Sequence, residues 1–151
     1  MVRKFEVVPG FEDRGVILPM RSTQFSAGYD LSVIEDVVLQ PYHTYLIPTG
    51  VRAKMEHDDV LLIHTRSSSA KKLGLVLKNQ TAVIDSDYYY ADNFGHISLL
   101  LYNISNKPIH LYAGDRVAQG IFQKYLLADG DNFAGDVRTG GFGSTGESSV
   151  S

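Results

Sequence analysis

The feature that most constrains this chain is its period. Apolar and polar residues alternate in short runs rich in Val, Ile, Leu, Tyr and Thr, broken again and again by turn residues. A period of two puts one face of an extended segment inside and the other outside, which selects strands over helices. The pattern predicts strands over residues 4–8, 36–39, 44–47, 51–55, 60–64, 95–103, 109–111 and 117–123. Between them lie Gln40-Pro41, Pro48-Thr49-Gly50, Asn106-Lys107-Pro108 and Ala113-Gly114-Asp115, which read as turns. One helical turn fits, over 68–73, with Ser67 or Ser68 as its cap and Gly74 closing it. The fold class expected is all-β, a sandwich or barrel.

The 151 residues, 44% of them hydrophobic, are enough for one domain with a core of its own. The absence of cysteine removes disulfides, zinc ribbons, iron–sulfur clusters and thiol nucleophiles. His43, His57, His64, His96 and His110 are scattered, with no two at metal-ligand spacing. A net charge of −3 without a Lys/Arg stripe argues against a nucleic-acid polymer as partner. No apolar run is long enough for a signal or a membrane span, and the expected location is the cytoplasm. The expected organisation is a β-barrel domain over 1–127 and a flexible arm over 128–151, where Gly130, Gly135, Gly140, Gly141, Gly143 and Gly146 cluster with few apolar anchors.

Five segments carry chemistry. Ala27-Gly28-Tyr29-Asp30-Leu31 reads either as a strand start with a glycine bulge or as a placed carboxylate. His64-Thr65-Arg66-Ser67-Ser68-Ser69-Ala70 runs a strand into hydroxyls, which serve as plain helix capping or, with the Arg66 guanidinium, as a grip on phosphate. In Asn79-Gln80-Thr81-Ala82-Val83-Ile84-Asp85-Ser86-Asp87-Tyr88, Asp85 is a turn former or a base that orients and deprotonates water, with Tyr88 offering a flat face to a sugar. Gly114-Asp115-Arg116-Val117-Ala118-Gln119 is a tight turn entering a strand, with the Gln119 amide as a donor. The last, Arg138-Thr139-Gly140-Gly141-Phe142-Gly143-Ser144-Thr145-Gly146, joins a guanidinium, hydroxyls, unhindered backbone N–H groups and one aromatic face, the parts needed to wrap phosphates and stack on a base.

In this order the five segments resemble the five motifs of the homotrimeric dUTPase family, the deoxyuridine triphosphate nucleotidohydrolases, over residues 28–146. The resemblance implies a distorted jelly-roll barrel, a homotrimer with an exchanged C-terminal arm, and hydrolysis of dUTP to dUMP and pyrophosphate. By the same match Asp85 activates the water that attacks the α-phosphorus. Arg66, Ser67 and Ser68 contact the phosphates and Gln119 donates to the α-phosphate. Asn79 and the main chain around Ile84 read the uracil edge, while Tyr88 packs on the deoxyribose. Arg138, Gly143, Ser144 and Thr145 close over the phosphates and Phe142 stacks on uracil. Mg²⁺ bridges phosphate oxygens, with one of its waters oriented by Asp30. Each site lies where three subunits meet, with motifs one, two and four from one chain, motif three from a second and motif five from a third.

The sequence departs from the family pattern twice. After Tyr88, the residues Tyr89-Tyr90-Ala91-Asp92-Asn93-Phe94 come before Gly95, an insertion expected to extend a loop and either to pack on a neighbouring subunit or to form a lip for a regulatory protein partner. Motif two reads Arg66-Ser67-Ser68-Ser69, close to the signature of the dCTP deaminase branch, which is the alternative. The catalytic Glu of that branch falls near Leu100, which has no acid–base chemistry. The alternative from another class is a trimeric nucleotide-sensing or repressor-binding protein.

Overall fold

The computed structural model describes residues 1–131 and 133. The arm residues Arg138, Phe142, Gly143, Ser144 and Thr145 lie outside the described residues. In chain order the strands are β1 (Lys4–Val7), β2 (Met20–Arg21), β3 (Tyr29–Ser32), β4 (Val37–Leu39), β5 (Thr44–Lys54), β6 (Asp59–Thr65), β7 (Leu75–Leu77), β8 (Thr81–Asp85), β9 (Ile97–Asn103), β10 (Ile109–Leu111) and β11 (Arg116–Lys124). They form a four-stranded sheet ordered β1-β5-β9-β7, a five-stranded sheet ordered β2-β3-β11-β6-β8, and a β10-β4 ribbon. Every pairing among them is antiparallel.

The alternation that predicts the strands also builds the core. Along β9, Ile97, Leu99 and Leu101 are buried while the residues between them are not. They pack in one cluster with Leu31, Leu61, Ile63, Ala82, Ile84, Val117 and Ala118 from the five-stranded sheet and with Leu39, Ile109 and Leu111 from the ribbon. Asn103 ends the inward row, and it is tolerated there because its amide donates to the carbonyls of Leu39 (3.0 Å) and Lys107 (2.7 Å).

Several boundaries differ from expectation. Residues 44–47 and 51–55 belong to one strand, because Pro48-Thr49-Gly50 is a bulge and not a turn: the pairing with β9 skips from Pro48↔Ser98 to Val51↔Ile97. Gly50 has φ +72°, and a Cβ there would strike Val16. The short strands β2 and β7 have too few residues to show a period. A 3-10 turn over Ser86–Tyr90 was not predicted. The helical turn at Ser69–Leu73 is closed, as expected, by Gly74 at φ 72°, but Ser68 makes no side-chain capping bond.

One end of the β6–β11 pair is tied to the start of β1 through a buried carboxylate. Asp59, 1% exposed, accepts from Arg3 Nε (2.8 Å) and Nη2 (3.0 Å), from the Glu56 amide (3.0 Å), and pairs with Lys124 Nζ at 3.0 Å. Burial pushes its pKa up, but the Arg3 and Lys124 contacts outweigh this and hold it at about 2. A folded-state value below the unfolded one (about 3.9) stabilises above roughly pH 4, and that stabilisation is lost as pH falls through about 2. Asp59→Asn should cost about 3 kcal/mol at neutral pH, measured by urea unfolding. The gap to the parent protein should shrink between about pH 4 and 2.

Candidate active site

Antiparallel register brings residues from four of the predicted segments together. Gln119 on β11 lies opposite Asp30 on β3 and opposite His64 on β6, and His64 in turn lies opposite Thr81 on β8. Directly opposed residues share a sheet face, so Asp30, Gln119, His64 and Thr81 make a polar row. This is the face turned away from the core, since their neighbours Leu31, Ala118, Ile63 and Ala82 point inward. Arg66, two residues beyond His64, reaches back to the row. Its Nε sits 3.2 Å from Asp30 Oδ1, and its Nη1 donates to the Arg116 carbonyl (3.3 Å). Arg116 Nη1 approaches the other Asp30 oxygen at 3.3 Å. Asp30 is 10% exposed and thus held between two guanidiniums. A cavity of about 480 Å³ opens beside them, lined by Arg66, Leu73, Leu111, Gly114, Asp115, Arg116 and Val117.

Gly28 serves Gln119. A Cβ at Gly28 would meet the Gln119 Oε1, so the missing side chain is what makes room for the amide. Ser67 is exposed and Ser68 half-buried, in the turn that leaves Arg66.

Asp85 is elsewhere. It ends β8 opposite Val60, whereas Arg66 lies beyond the other end of β6, six residues further along. At about 3.3 Å per residue this is about 20 Å, so one chain cannot bring its own Asp85 to its own Arg66. Asn79 is exposed in the turn before β8, at the opposite end of that strand from Asp85. The segment 79–88 holds β8 and the start of the turn Ser86–Tyr90. The Ile84 side chain is 5% exposed and belongs to the core, which leaves only its main chain to face a ligand. β8 is an edge strand, with its outer backbone groups turned from β6.

Tyr88 is 3% exposed in the single chain, and its hydroxyl donates to the His96 carbonyl (2.6 Å) and accepts from Asn93 Nδ2 (2.9 Å). Of the two partners only Asn93 belongs to the inserted residues. Tyr89 also packs on its own chain, with Arg52 4.3 Å over its ring and its hydroxyl donating to Glu6 (2.7 Å), while Tyr90 and Phe94 stay exposed. Sequence reasoning missed His64 and gave Arg116 no role. The available signal was spacing: His64 is two residues before Arg66.

An all-β chain whose outer sheet face gathers two guanidiniums, a carboxylate and an amide is a protein suited to a phosphate-bearing ligand. The comparisons narrow the class. The dUTPase family model matches residues 14–146. The deoxyuridine 5'-triphosphate nucleotidohydrolase of Lactococcus lactis is 46% identical over 147 residues, 96% of this chain and 98% of that relative. The Helicobacter pylori (strain Shi470) protein of the same name is 35% identical over 87% of this chain and 90% of its own. The crystal structure of dUTPase from Streptococcus mutans superposes with a TM-score of 0.78 at 43% identity, over 84% of this chain and 99% of that one. The chain belongs to the dUTPase family, and its fold is the jelly-roll-like β fold of those structures.

Gly28→Ala tests the geometry of the row. The clash falls on the movable end of Gln119, so the unfolding midpoint should change little. Displacing the amide should still lower kcat/KM on a nucleotide substrate by about tenfold or more, read from initial rates.

Proposed function

We propose that this protein is a dUTP diphosphatase, hydrolysing dUTP and water to dUMP and pyrophosphate in a site shared between copies of the chain. The observation that carries this reading is the separation of Asp85 from the Arg66–Gln119 row along β6. A base and a phosphate grip some 20 Å apart in one chain meet only if a second chain supplies one of them. A homotrimer in which Asp85 of one subunit faces Arg66 and Gln119 of the next satisfies this.

In that site Asp85 orients water and takes its proton as the oxygen attacks the α-phosphorus, and pyrophosphate leaves with the broken P–O bond. Arg66 and the Ser67 and Ser68 hydroxyls hold the phosphates, and the Gln119 amide donates to the α-phosphate. The free edge of β8, with Asn79, reads uracil through donors and acceptors that cytosine would leave unpaired. Arg138, Phe142, Gly143, Ser144 and Thr145 belong to this reading as the closing arm.

The family implies a divalent cation, and Mg²⁺ is the ion proposed. Among the described residues no group of three or more His, Asp or Glu could hold a metal, and the Asp30 charge is already shared by two guanidiniums. Such residues fit a hydrated ion that arrives on the triphosphate, with Asp30 orienting one water of its shell. When bound, the ion neutralises phosphate charge. Among the described residues no helix is long and apolar enough to cross a membrane, and the cytoplasm, where nucleoside triphosphates occur, is the proposed location. The exposed rings of Tyr90 and Phe94 are the surface that a regulatory protein would meet.

Incubation with dUTP, dCTP, dTTP and UTP should release pyrophosphate from dUTP alone, and ammonia from dCTP would move the chain to the deaminase branch. Asp85→Asn should keep dUTP binding while turnover falls at least about a hundredfold. Unchanged turnover would mean that another group activates the water.

A further inference from the structure

We propose that the inserted segment is an internal brace, in which Tyr89 and Asn93 act as positioning residues that hold the turn carrying Asp85 against both sheets. The proposal rests on Asp85 as the water-activating group. Its structural basis is the way the turn Ser86–Tyr90 is anchored along its length.

Ser86 Oγ donates to the His57 carbonyl (3.1 Å) in the link between β5 and β6. Tyr88 is held at its hydroxyl by Asn93 and by the His96 carbonyl, just ahead of β9. Tyr89 reaches across to β1, where its hydroxyl meets Glu6, and it lies under Arg52 of β5. Glu6 and Arg52 are themselves opposed in the β1–β5 pairing, and Arg52 Nε and Nη2 approach the same Glu6 oxygen at 3.1 and 2.9 Å. Carboxylate, guanidinium and phenol thus form a closed triangle in which each member touches the other two.

β8 belongs to the five-stranded sheet and β1 and β5 to the four-stranded one. The turn after Asp85 is therefore fixed from both layers, and residues 89–94 provide the span. The loop must fold back tightly to do so. Asn93 Oδ1 accepts the Gly95 amide (3.2 Å), and Gly95 sits at φ +71°. A Cβ at Gly95 would come within 2.7 Å of Tyr89 Cα and 2.8 Å of the Tyr88 carbonyl oxygen, both backbone atoms that cannot step aside. The Glu6 carboxylate of the triangle stays charged at neutral pH. The Lys4 and Tyr89 hydrogen bonds, with Lys4 and Arg52 nearby, hold Glu6 at about 2.

The brace acts through Asp85 and touches no substrate, so its signature is in kcat. Tyr89→Phe removes the hydroxyl and keeps the ring on Arg52; Asn93→Ala removes the tie to Tyr88. Each should lower kcat on dUTP by about three- to tenfold with KM within about twofold, and each should speed amide hydrogen exchange over residues 85–91. Glu6→Gln combined with Tyr89→Phe should lower kcat by less than the product of the two single losses, because the two residues share the Tyr89–Glu6 hydrogen bond. Unchanged kcat in both Tyr89→Phe and Asn93→Ala, or unchanged exchange over 85–91, would overturn the brace. Turnover of dUTP by the parent protein, measured alongside, separates that outcome from failure of the activity itself.

Discussion

The pairing of β11 with β3 on one side and β6 on the other is the constraint on which the rest depends. That register puts Gln119 between Asp30 and His64 and brings Arg66 back onto Asp30. A slip of one residue would turn Gln119 into the core and expose Ala118, which is fully buried here, so core packing and site assembly are enforced by the same pattern. The site needs no special architecture of its own. It is the outward face of a sheet whose inward face holds Leu31, Leu61 and Ile63.

The same register separates what it does not gather. Because β8 runs antiparallel to β6, its end carrying Asp85 lies beside the start of β6, far from Arg66. The chain contains a proposed phosphate grip and a proposed base, each well held, at two ends of one strand pair. The ties around Ser86, Tyr88 and Tyr89 fix the base end from both sheets, while two guanidiniums on Asp30 fix the other. In the proposed shared site both halves are thus fixed within each chain, which limits the ordering that assembly and binding would have to supply.

Much of this was legible because periodicity is local. The strand at Ile109–Leu111 falls where the alternation puts it, and Gly74 closes its helical turn as glycine at that position should. What was not legible depends on partners distant in sequence. Pro48-Thr49-Gly50 looks like a turn until β9 is alongside, when it becomes a bulge in a continuous strand. His64 looks like any strand residue until Gln119 and Thr81 flank it. Tyr88 carries the family pattern, yet its exposure is decided by Asn93 and His96, and Tyr89 finds Glu6 from the far end of the chain. The motifs name the candidate residues, and only the register tells which of them share one chain's surface.

Subunit complementation tests the shared site most directly. Arg66→Ala chains and Asp85→Asn chains are each made alone, then unfolded together and refolded as a mixture. If one subunit lends its Asp85 to the Arg66 of another, each mixed ring regains a junction carrying both native residues, and dUTP hydrolysis returns well above that of either variant alone. A mixture that assembles but stays as inactive as its components would contradict the account, because the base and the grip would then have to come from one chain.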